Sequence, residues 1–226
     1  MNLSNIGKKY GTDKVSHGFT DIYDDLFFSI KDESFNLLEI GVFFGSSIKM
    51  WNEYFKNAII YGADSFKGIQ GNGNHFVDAD KYYKYWLQNK PDNIILEILD
   101  QSSENELLEF NNKFINNTKF KIIIDDGSHL MKDQQITFFY LFDLVETGGM
   151  YIIEDIHTSD QFPQYDIKKD GSNSTKKLFL DILNGKKFIS EYIKDDDKCN
   201  SLTNNIKHIE LKFVNKNSQT LIIYKN

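Results

Sequence analysis

Two short stretches concentrate the groups able to move protons or hold a charged ligand. Residues 121–130, KIIIDDGSHL, run three isoleucines into Asp125, Asp126, Gly127, Ser128 and His129. Residues 148–157, GGMYIIEDIH, end a second apolar run at Glu154 and Asp155. Each reads as a buried strand that delivers acids to its carboxyl-terminal end, and the first delivers a base as well. In open α/β sheets that end is where ligands bind. An imidazole titrates near neutrality, so beside carboxylates it suits proton transfer.

Such groups need a scaffold, and the remaining chain reads as alternating strands and helices. A short amphipathic helix is expected over residues 19–30, where Ile, Tyr, Leu and Phe recur at helical spacing. Apolar runs bounded by turn residues predict strands at 35–42, 58–66 and 93–100, besides the two above. Helices are expected at 45–55, 78–90, 103–112, 131–145 and 175–190. The helix from Ser103 carries a capping box with Glu106. Residues 68–76 are glycine-rich and read as an irregular loop. Residues 157–173 are polar and long enough to suggest a substrate lid. The DDDK run, 195–198, reads as a solvated acidic turn. Two alternating runs, 208–215 and 219–226, predict a terminal antiparallel hairpin. The expectation is one α/β domain, a doubly wound, mostly parallel seven-stranded sheet closed by that hairpin. Residues 1–34 would form an N-terminal helical or lid segment and 35–226 the core.

Further candidates lie at the ends of the earlier strands. In LLEIGVFFGSS, Glu39 precedes Gly41 and Gly45, and a helix opens at Ser46. Glycine permits close backbone approach, and a helix start presents free amides. The spacing is not the G-x-G-x-x-G of dinucleotide folds. An acid two positions before the first glycine points to a ligand with an amino group. Asp64 ends the next strand and is placed to accept ribose hydroxyls, or to cap a helix. Asp100 and Gln101 end the third, an acid and an amide able to read an adenine, or again a cap. Together they fit a nucleoside with an amino-acid tail.

The order EIGVFFG, GAD, DQS resembles class I S-adenosylmethionine-dependent methyltransferases, whose fold is Rossmann-like. GTDKVSH at 11–17, DDGSH at 125–129 and YIIEDIHTS at 151–159 resemble, more specifically, metal-dependent macrolide-sugar O-methyltransferases of the mycinamicin and macrocin type. The resemblance covers residues 11–159. It implies S-adenosylmethionine as methyl donor and a divalent cation, usually magnesium, held by Asp126, Glu154 and Asp155. It implies His129 as general base, with helix capping as the alternative role. All-oxygen donors suit a hard cation that exchanges waters for substrate oxygens. Neighbouring residues on a strand face opposite ways, so only one of Asp125 and Asp126 can meet the metal. Asp126 is favoured, leaving Asp125 for the methionine part of the donor. His157 reads as a loop histidine without a catalytic role. GTDK has no chemistry derivable from its spacing, and an Asp–Lys pair there reads as a solvated turn. The resemblance instead folds the segment over the site. The implied acceptor is a sugar or nucleotide-sugar hydroxyl. A hydroxylase-like metal enzyme and an amino-sugar N-methyltransferase are the alternatives. Relatives of this type commonly self-associate, so a homo-oligomer is also an open expectation.

Composition narrows the partners. The chain has 226 residues, a formal charge of −7 and a single cysteine, Cys199. An acidic balance disfavours a nucleic-acid partner. One cysteine excludes an intrachain disulfide. Without a signal-like or membrane-length apolar run, the expected location is cytoplasmic, with no membrane partner.

Overall fold

A computed structural model describes residues 2–72, 75–158, 165, 174–215 and 218–226. The chain divides into two compact units, Met1–Asp100 and Gln101–Asn226.

The first unit opens with α1 (Leu3–Tyr10). Asn2 caps its start by accepting from Asn5 N, and Gly11 ends it at φ 71. A single helical turn, Asp13–Val15, leads to α2 (Phe19–Phe27). Then come β1 (Asn36–Ile40), α3 (Ser46–Tyr54), β2 (Ile59–Asp64), β3 (Ile69–Asn72), β4 (His75–Asp78), α4 (Ala79–Asn89) and β5 (Ile94–Ile98). β1 pairs in parallel with β2, and β2 with β5. Leu37, Leu38, Ile40, Ile60, Ala63 and Ile94 are buried along these strands. Tyr23 and Phe27 of α2 pack on Trp51 of α3, and Phe27 also on Phe55, ring centroids 5.5–5.9 Å apart. That aromatic contact is why the 3.6-residue spacing of α2 and α3 is satisfied.

Residues 69–72 and 75–78, in the segment read as an irregular loop, are paired strands. β3 and β4 pair antiparallel from Ile69↔Asp78 to Asn72↔His75. Glycine content argued against regular structure, but ladder hydrogen bonds need only the backbone. Asp78 then caps α4 by accepting from Lys81 N.

The second unit contains α5 (Glu104–Phe114), β6 (Phe120–Asp125), α6 (Met131–Leu141), β7 (Val145–Ile153), α7 (Thr175–Leu183), α8 (Asp196–Asn205), β8 (Ile206–Asn215) and β9 (Ser218–Lys225). The Ser103 cap is formed, its hydroxyl accepting from Glu106 N at 3.3 Å. β6 runs parallel to β7, while β9 is antiparallel to both β7 and β8. The sheet class is therefore the mixed, mostly parallel seven-stranded one with a C-terminal antiparallel pair. Among the described residues no helix is long and apolar enough to cross a membrane.

α6 is buried nearly all round, including Asp133, Gln134, Gln135 and Thr137. Its Phe138 alone meets the rings of Phe142, Tyr151, Phe179 and Phe188. α7 ends at Leu183, well short of residue 190, because Gly185 turns left-handed at φ 80. The DDDK run is not a turn. Asp195 caps α8 by accepting from Lys198 N, and Asp196 and Asp197 lie in the first helical turn, where negative charge suits the helix dipole. Most of the segment read as a lid falls outside the described residues.

Candidate active site

In the first unit the site is the turn from β1 into α3. Gly41 and Gly45 sit at φ 93 and 66, and Gly45 is the cap residue of α3. A Cβ on Gly45 would lie 2.3 Å from Trp86 Cζ2, so glycine is required by both backbone and space. Phe43 is left-handed too, at φ 48. Asp64 supplies the tether. Its Oδ2 accepts from Val42 N at 2.9 Å and Phe43 N at 3.1 Å, and its Oδ1 from Phe66 N at 2.9 Å. The strand-end aspartate thus holds the loop by its amides. Ser46 opens α3, whose first turn has no side-chain cap. Asp100 stands 3.9 Å from Lys67 and is half-exposed.

Glu39 is enclosed. Its Oε2 accepts from Ser47 Oγ at 2.7 Å, its Oε1 from Trp51 Nε1 at 3.2 Å, and Lys14 Nζ stands 3.2 Å from Oε1. The side chains of Lys14 and Glu39 are 1% and 0% exposed. The lysine of GTDK is therefore not solvated, and the cation that Glu39 invited comes from the chain itself. Sequence reading missed Lys14 because its partner lies 25 positions along the chain; only the GTDK motif hinted at it.

In the second unit the site is built on the ends of β6 and β7. Asp126, His129 and Asp155 form a group whose potential ligand atoms all lie within 4.8 Å of one another. His129 Nε2 is 3.7 Å from Asp155 Oδ2, and His157 Nδ1 is 3.7 Å from Asp155 Oδ1. His129 Nδ1 is buried and has no hydrogen-bond partner among the described residues. Glu154 is buried and outside the group. Glu154 and Asp155 both lie just past the end of β7, and Asp126 just past the end of β6. His129 and Asp155 both hold left-handed backbone, φ 59 and 51, a cost that tends to collect at functional sites.

Asp125 faces inward. Its Oδ1 accepts from Gln101 Nε2 at 2.6 Å, and Tyr151 Oη lies 3.5 Å from Oδ2. Burial pushes the Asp125 carboxyl up to about 7, against pulls from the Gln101 amide, Gly127 N–H and His129. Gln101 Oε1 in turn accepts from Ser128 N at 2.8 Å. Both ends of the Gln101 amide thus brace the DGSH loop, a role its strand-end position did not reveal. Ser128 Oγ donates to Asp133, and Thr158 Oγ1 to His129 O. These ties fix the loop that carries Asp126 and His129.

Two carboxylates at partly buried positions offer oxygen donors to a hard divalent cation, with the His129 imidazole beside them, so the residues present fit one.

No protein-family profile matches the chain. It is similar to demethylmacrocin O-methyltransferase of Streptomyces fradiae, 30% identical over 166 residues, which are 70% of this chain and 37% of that protein. It is equally similar to mycinamicin VI 2''-O-methyltransferase of Micromonospora griseorubida, 30% over 176 residues, 70% of this chain and 36% of that protein. The chain thus spans well under half the length of these relatives. Among solved structures it matches MycE methyltransferase of the mycinamycin biosynthetic pathway in complex with Mg, SAH and mycinamycin VI. The TM-score is 0.72 at 23% identity, covering 100% of this chain and 55% of the other. That likeness is one of fold, and the fold is Rossmann-like. The resemblance carried by GTDK, DDGSH and the Glu–Asp pair therefore leads to proteins named as sugar-acting O-methyltransferases.

Proposed function

We propose that the chain is an S-adenosylmethionine-dependent, divalent-cation-dependent O-methyltransferase acting on a sugar hydroxyl, free, nucleotide-linked or part of a glycosylated small molecule. The observation that carries this reading is the convergence of Asp126, His129 and Asp155 on the strand ends of a methyltransferase-like fold. Asp126 and Asp155 would hold the cation, with Glu154 within one residue of joining them. A bound cation supplies charge that orients the acceptor oxygen and lowers its pKa. His129 would take the hydroxyl proton during transfer. Its left-handed backbone and the Thr158 tie hold the imidazole in place. In the first unit, the uncapped start of α3 offers amides to the donor's carboxylate, and the glycines let its backbone approach.

A second reading keeps the cation and drops methyl transfer, because one imidazole with two carboxylates also suits a redox-active ion. Calorimetric titration with S-adenosylhomocysteine, with and without magnesium, decides first. Binding is expected, and its absence in both conditions would overturn the proposal. Incubation with S-adenosylmethionine and nucleotide sugars should then release S-adenosylhomocysteine in step with methylated product, whereas a hydroxylase-like enzyme would release none.

A further inference from the structure

The GTDK segment plays no part in the chemistry above, yet the structure accounts for it position by position. Gly11 ends α1 in the left-handed region, and the Thr12 hydroxyl accepts from Lys14 N to cap the next turn. Lys14 then turns inward to Glu39. Just upstream, Lys9 and Tyr10 both bond Glu53 on α3. The N-terminal segment is thus tied to α3 at Glu53 and to the end of β1 at Glu39.

We propose that Lys14 is a positioning residue for the methyl donor. As the counter-ion of Glu39 it fixes Ser47 and Trp51 of α3, and thereby the path of the Gly41–Gly45 turn. The inference rests on the reading of that turn as the donor site. A buried carboxylate without its counter-ion must take up a proton or move toward water. Either change weakens its hold on Ser47 Oγ and Trp51 Nε1, eight and twelve residues further along. With the Glu39 carboxylate wholly enclosed, the donor's ammonium has no route to it. The negative charge of Glu39 therefore serves Lys14, and the donor feels it only through the loop.

The test combines thermal unfolding with calorimetric titration of S-adenosylhomocysteine for the wild type, Lys14→Met, Glu39→Gln and the double variant. Lys14→Met should lower Tm by roughly 10 °C and weaken binding about tenfold. The double variant buries no charge, so it should recover most of the Tm and bind within about threefold of wild type. A double variant that recovers Tm yet stays more than about threefold weaker would mean that the donor itself needs the Glu39 charge, which overturns the inference. Wild-type binding by Lys14→Met would overturn it equally. If Lys14→Met does not fold, the double variant decides alone. A wild-type chain that binds no S-adenosylhomocysteine defeats the functional reading and the inference with it, a result separate from either variant outcome.

Discussion

Replacing Gln101 by leucine keeps side-chain volume and removes two hydrogen bonds at once. The bond from Gln101 Nε2 to Asp125 Oδ1, at 2.6 Å, is to a carboxyl that is 1% exposed. Losing such a bond costs about 2 kcal/mol, and losing the Ser128 N–H acceptor adds about 1 kcal/mol. Asp125, deprived of the donor that pulls its pKa down, would be pushed further up by burial. A loss of about 3 kcal/mol lowers Tm by roughly 6–12 °C in a chain of this size. The second consequence is local. Ser128 and Asp125 flank Asp126 and His129, so the cation group loses its brace, and affinity should fall about tenfold, as for outer-shell partners generally. Urea unfolding gives the first number, and Mn²⁺ titration followed by electron paramagnetic resonance gives the second. If Gln101 instead reads an adenine, S-adenosylhomocysteine affinity would collapse while Mn²⁺ affinity stayed put, and that result would refute the bracing argument.

Gly45→Ala should cost about 3 kcal/mol, from left-handed strain and the Cβ at 2.3 Å from Trp86, read from the urea midpoint. Asp64→Asn turns an amide NH2 toward the N–H groups of Val42, Phe43 or Phe66. It should cost about 2 kcal/mol and speed hydrogen exchange at the Phe43 amide. Asp155→Asn tolerates φ 51 well, so chelated stability should stay within about 0.5 kcal/mol of wild type. The Mg²⁺-induced rise in Tm should nevertheless disappear.

The parallel strands were legible because each is a short apolar run closed by acids or glycine, as β6 shows from Phe120 to Asp125. The Ser103 cap was legible because it is local. What escaped reading depends on tertiary direction. Lys14 looked solvated because its neighbour Asp13 offered a local partner, while Glu39 lies 25 positions away. Gln101 looked like a ligand reader because strand-end position does not say which way an amide points. Glu154 and Asp155 looked equivalent as neighbours in the sequence, yet Glu154 is buried and Asp155 lies in the group with Asp126 and His129. The β3–β4 pairing was hidden because it rests on backbone and carries little apolar signal.

Among the described residues, four that are not glycine hold left-handed backbone: Phe43, Phe66, His129 and Asp155, each just beyond the end of a strand. Such a conformation disfavours most side chains by roughly 1–2 kcal/mol. Selection for heat resistance alone would find quick gains at these positions by admitting glycine or asparagine. Two of the four belong to the proposed cation group. Directed evolution scored only on melting temperature would therefore tend to erase the chemistry first, and any thermostable library of this chain needs an activity screen beside it.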